Sequence, residues 1–121
     1  MTTPYERMRA VGWGGELLAQ MCSDASLPQS VVSAAKRIAL TYPTTQALEE
    51  CLRVGAVGLT VRLATSLGEA RTLFREVWVG ELGSTQTRED LRYVLRHFPT
   101  EGTIRIISET APPWLWLWFE R

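Results

Sequence analysis

The stretch VGAVGLTVRLATS, residues 54–66, decides whether this chain carries a sheet. Val57, Leu59, Val61 and Leu63 alternate with Gly58, Thr60, Arg62 and Ala64, the two-residue period of a half-buried strand. Gly55 and Gly58 argue against a continuous helix there, since each glycine weakens a helix relative to alanine. Ser66 followed by Glu69 has the spacing of a capping box, so a helix is expected to start at Ser66. That helix places Leu67, Ala70, Leu73, Phe74 and Val77 on one face, with Arg71 and Arg75 outside. On this reading a strand over residues 57–63 feeds a helix, and the chain is α+β.

Upstream of it, residues 1–53 read as a three-helix unit. From Pro4 to about Cys22, Tyr5, Met8, Val11, Leu17, Leu18 and Met21 recur at three- and four-residue intervals. Gly12, Gly14 and Gly15 interrupt that pattern and call for a kink or the close approach of another backbone. SDASLPQS is a loop, with Ser23 or Ser26 as a cap and Pro28 at the start of a second helix. Val31, Ala34, Ala35, Ile38 and Ala39 form the inward stripe of that helix, which should stop at Tyr42 because Pro43 follows. A third helix is expected from Thr44 or Thr45, carrying Leu48, Cys51 and Leu52 inward.

Downstream, TREDLRYVLRHF reads as a fifth helix capped by Thr87, with Asp90 three residues on. Its end, Phe98-Pro99-Thr100, echoes Tyr42-Pro43-Thr44. The β-branched Thr103, Ile104, Ile106 and Ile107 favour a strand over residues 103–108. In PPWLWLWFER, residues 112–121, an extended chain turns Trp114, Trp116 and Trp118 one way and Leu115, Leu117 and Phe119 the other. These two segments would pair as an antiparallel hairpin through Glu109 to Pro113. The expected fold is therefore one domain over residues 1–121, α+β and mostly helical, with about five helices and a small antiparallel sheet of two or three short strands near the C-terminus. The alternative is an all-α chain with a weak tandem helical repeat.

The opening TTPYERMRAV, the loop SLPQSV and the run AAKRIALTYPTTQALE resemble a family of short, uncharacterised proteobacterial proteins. Members open with a threonine-proline-glutamate-arginine pattern and close their second helix with arginine-histidine-tyrosine-proline-threonine. The resemblance covers about residues 2–50 and departs from the pattern at Gly12-Trp13-Gly14-Gly15 and at Leu40-Thr41. It implies a three-helix N-terminal unit and brings no activity with it.

Composition narrows the function classes. The 13 basic and 13 acidic residues cancel, whereas a domain that holds nucleic acid by its phosphates usually shows a basic excess. The two cysteines, Cys22 and Cys51, have neither CxxC spacing nor a histidine pair nearby, so they read as small core residues, and no metal or other cofactor is expected. The N-terminus lacks the order of a secretory signal and no run approaches the roughly 20 apolar residues that span a bilayer. Cytoplasmic residence is the expectation, and a membrane partner is disfavoured.

Two surfaces and one residue are candidates for function. Trp114, Trp116, Trp118 and Phe119 form an aromatic tail suited to a protein interface, because tryptophan buries a large area and still satisfies its indole N–H at a wet rim. Arg88, Arg92 and Arg96 recur every four residues, with His97 beside the last, and make an anion or nucleic-acid face. His97 is the only imidazole in the chain and thus the only histidine base for an enzyme. GWGG lies inside the first helix pattern and lacks the lysine of a P-loop. The expected function is a small non-enzymatic protein acting through protein–protein contact, with a protein partner or a second copy of itself. A nucleic-acid-binding regulator is the alternative, and a small enzyme using His97 comes third.

Overall fold

Apolar residues at three- and four-residue spacing dominate the part of the chain that the computed structural model describes, which is residues 4–44, 46, 60–102 and 104. Among these residues there are four long helices and no strand: α1 (Pro4–Met21), α2 (Gln29–Ala39), α3 (Thr60–Val79) and α4 (Thr85–His97). The described chain is all-α, which overturns the α+β expectation with its antiparallel sheet.

The correction is sharpest at the decisive stretch. Helix α3 begins at Thr60, so the expected strand over 57–63 is helical from its middle onward, and residues 57–59 lie outside the described residues. Ser66 is not a cap. It sits inside α3, nearly inaccessible, and its hydroxyl donates to the Thr41 carbonyl at 2.8 Å. The inward stripe Leu67, Ala70, Phe74 and Val77 continues back to Ala64, so packing along one helical face outweighs local β-propensity. The expected strand over 103–108 fails at Ile104, which is helical and donates its N–H to Thr100 O at 2.9 Å. Residues 105–108 and the tail lie outside the described residues, as do the expected third helix beyond Gln46 and Cys51.

The helices pack in a ring, α1 on α2, α2 on α3, α3 on α4 and α4 back on α1, with a brief diagonal contact between α1 and α3. Helix α2 runs antiparallel to α3, and α1 antiparallel to α4. Arg37 of α2 meets Glu69 of α3 at 2.9 Å, and Gln20 of α1 meets Thr87 of α4 at 3.0 Å. Among the described residues, Phe74, Leu18, Met21, Ile38, Leu67, Leu91, Val11, Val77 and Val94 are the largest side chains withdrawn from solvent. Phe74 and Phe98 meet edge to face at 5.8 Å.

Helix ends follow local chemistry, shifted from the sequence expectation. Helix α2 starts after Pro28, whose backbone is extended and whose carbonyl accepts from the Val31 and Val32 N–H groups, and it stops at Ala39 before Tyr42 folds inward. Helix α4 is capped by Ser84, not Thr87: the Ser84 hydroxyl accepts from the Thr87 N–H at 3.2 Å. The α3 end closes with Leu82 N–H donating to Val77 O while Glu81 takes φ 54°, the left-handed position usually given to glycine. Helix α1 runs unbroken through its glycines, and the close approach they allow is to a side chain, Tyr42.

Candidate functional site

Because α1 and α4 are antiparallel, residues of the two helices meet in rungs. At one end His97 Nε2 lies 3.7 Å from Glu6 Oε2. Next, the Tyr93 ring stands 5.0 Å from the His97 ring and 4.4 Å from Trp13, tilted by 46° to the latter. Arg9, one turn before Trp13, places its guanidinium 4.8 Å from the indole centroid. At the far end Gln20 Nε2 donates to Thr87 Oγ1.

Between the aromatic rung and the Gln20–Thr87 rung lies a cleft of about 260 Å³ with Leu17 and Val94 at its base. Glu16 of α1 and Asp90 of α4 both line it, and among the described residues no basic side chain does. Trp13 stays 40% exposed despite its two neighbours, while Leu17 and Val94 are buried. The cleft thus joins an aromatic wall, an apolar floor and two carboxylates.

The far rung is held by a half-buried polar cluster. Asp24, in the α1–α2 loop, accepts from Thr87 Oγ1 at 2.7 Å and from the Ser84 N–H at 3.1 Å with one oxygen, and from the Ser26 N–H at 2.8 Å with the other. Thr87 has no solvent exposure, and its hydroxyl also receives Gln20 and Ser84. These donors, the Thr87 hydroxyl foremost, lower the Asp24 carboxyl from 3.8 to about 2. The cluster is a clasp that fixes the start of α4 against the end of α1.

A second and larger recess, about 760 Å³, opens between α2 and α3. Ile38, Ala64, Leu73 and Ile104 give it an apolar floor, and the exposed Arg37–Glu69 pair crosses its rim.

The residues expected to form an arginine stripe have different surroundings. Arg92 and Arg96 are exposed, but Arg88 is drawn toward Glu81 at 3.7 Å and lies 6.0 Å from the Trp78 ring. His97 faces α1 and is buried, so it belongs to the aromatic rung and not to the arginine face. Trp114, Trp116, Trp118 and Phe119 lie outside the described residues. Trp13, Tyr93, Glu16 and Gln20 were not singled out by sequence reasoning as one site. The signal that would have found them is the shared face of Trp13, Glu16, Leu17 and Gln20 at helical spacing, facing Asp90, Tyr93 and Val94 at the same spacing.

Among the described residues no group of three or more His, Cys, Asp or Glu side chains is placed to hold a metal ion, and no helix is long and apolar enough to cross a membrane. Cys22 is half-buried and its thiol donates to Leu18 O at 3.2 Å. No protein-family model, curated protein or solved structure matches this chain at a significant level.

Proposed function

We propose that this chain acts through protein–protein contact, in the manner of a regulatory, inhibitor, immunity or adaptor protein, and that the α1–α4 face around Trp13 is the contact surface. The observation that carries the reading is the exposed indole of Trp13, whose ring centre lies 4.8 Å from the Arg9 guanidinium and 4.4 Å from the Tyr93 ring. Tryptophan, tyrosine and arginine are the residue types that dominate binding energy at protein interfaces. An indole already fixed by its neighbours loses little further freedom on binding, which favours affinity.

The test replaces Trp13 with a photo-crosslinking amino acid in the full chain and irradiates cells of the source organism, with Ser33 on the outer side of α2 as the control position. A discrete covalent adduct formed from position 13 and absent from position 33 supports the reading, a second copy of the chain being an acceptable partner. No adduct, or the same adducts from both positions, overturns it.

A further inference from the structure

We infer that the cleft between Trp13 and Gln20 receives the guanidinium of an arginine side chain on the protein partner, an inference that rests on the protein-binding reading above. The first argument is electrostatic. In the antiparallel α1–α4 pair, Trp13 faces Tyr93 and Gln20 faces Thr87, so Glu16 and Asp90 occupy the rung between them. The cleft therefore presents two carboxylates and, among the described residues, no basic side chain in its lining, which makes it complementary to a cation.

The cavity wall selects among cations. A compact, strongly hydrated ion gains nothing from an indole and a phenol, whereas a guanidinium is planar, weakly hydrated and stacks on aromatic faces while its N–H fork meets carboxylates. Arg9 already holds its guanidinium 4.8 Å from the Trp13 ring without lining the cleft, so the chain itself pairs this indole with that group. At about 260 Å³ the cleft is smaller than the usual range for drug-sized ligands and suits one side chain. Asp90 is held in place by Gln86, whose Nε2 donates to its Oδ1 at 3.0 Å. The apolar base of Leu17 and Val94 lies where the methylene stem of an arginine would rest.

The experiment titrates N-acetylarginine methylamide into the isotopically labelled full chain at low salt and follows the Trp13 indole N–H, assigned with Trp13→Phe. The expected result is a saturable shift with Kd on the order of 1–10 mM, weakened at least tenfold by combining Glu16→Gln with Asp90→Asn. The uncharged citrulline analogue should also bind at least tenfold more weakly. The inference is overturned by no saturable shift, by equal binding of the citrulline analogue, by unchanged binding in the double variant, or by calcium chloride shifting the same signal at lower concentration. The crosslink from position 13 reports separately on the contact surface. A surviving crosslink with no arginine binding ends this inference and leaves the protein-binding reading intact, whereas arginine binding without a crosslink leaves a guanidinium site with no protein partner and ends both.

Discussion

The Tyr42 hydroxyl stands 2.7 Å from where a β-carbon would lie on Gly14, and it donates to the Val11 carbonyl one turn earlier in α1. The glycine is there because the phenol needs its space. Alanine usually strengthens a helix by about 1 kcal/mol over glycine. At position 14 the added methyl would also meet the Phe98 ring at 3.1 Å, and Phe98 is backed by Phe74. Gly14→Ala should therefore lower stability by about 1–3 kcal/mol, because a packed core relieves such overlap only by moving rings off their preferred positions. Gly68, inside α3 with nothing within 4 Å of its virtual β-carbon, is the control: Gly68→Ala should hold or raise stability. Urea midpoints for both variants check the pair, and a stabilised Gly14→Ala would show that the Tyr42 contact yields easily.

Burial of the same phenol has a consequence at alkaline pH. It pushes the Tyr42 pKa well above the ordinary 10.0. The unfolded chain loses this proton near that value while the folded chain keeps it, so above pH 10 the folded state binds more protons and stability falls as pH rises. The slope due to Tyr42 approaches about 1.4 kcal/mol per pH unit. Tyr42→Phe should start about 0.5–1.5 kcal/mol less stable at neutral pH, having lost the bond to Val11, and then decline less steeply. Denaturant midpoints between about pH 9 and 11 compare the two; parallel curves would remove Tyr42 as the cause.

Asp24 sets the acid limit. Its carboxyl, lowered to about 2 by the Thr87 and Ser84 donors, stabilises the folded chain at pH values above the ordinary 3.8. That stability should fade as pH drops from about 4 toward 2, since the unfolded chain takes up the proton first. Asp24 is half-buried, and screening by solvent reduces the contribution to on the order of 1–2 kcal/mol. Asp24→Asn should lose about that much at pH 7 and show a flatter acid limb by circular dichroism. An unchanged acid limb would assign the transition to other carboxylates.

The fold was legible wherever one helical face is continuous. Val31, Ala35 and Ile38 of α2 and Leu67, Ala70, Phe74 and Val77 of α3 are the core residues that periodicity picks out. The start of α3 was not legible, because Leu59, Val61 and Leu63 also fit a strand and Ser66 with Glu69 imitates a helix start. Only the contact between Ser66 and Thr41, 25 residues away in sequence, shows that the serine serves a helix–helix joint. The α1–α4 site was hidden for the same reason. Trp13 reads as an interruption among glycines, and its meaning comes from Tyr93, which the sequence places on another element and the antiparallel pairing brings to 4.4 Å. The clasp escaped in the same way: Thr87 has the sequence signature of a cap, yet it lies inside α4 and binds Asp24.

The geometry of α4 makes a specific forecast for nucleic acid. Four groups were expected to act together, but His97 turns to Glu6 and Arg88 is drawn to Glu81 and Trp78. Arg92 and Arg96 remain exposed on that face. Each phosphate neutralised on duplex DNA adds about 0.9 to the slope of log affinity against log salt, so two arginines supply a slope of about 1.8. Between 50 and 200 mM salt that amounts to roughly a tenfold change, against the thousandfold or more of a protein that grips six to ten phosphates. Full-length protein should therefore wash off immobilised duplex DNA at about 150 mM salt if this face alone binds it, and Arg92→Ala with Arg96→Ala should lower the slope by no more than about 2. A loss of three or more in the double variant would mean that these arginines organise further cations into a genuine phosphate-binding surface, and would move the search for function from Trp13 to the outer face of α4.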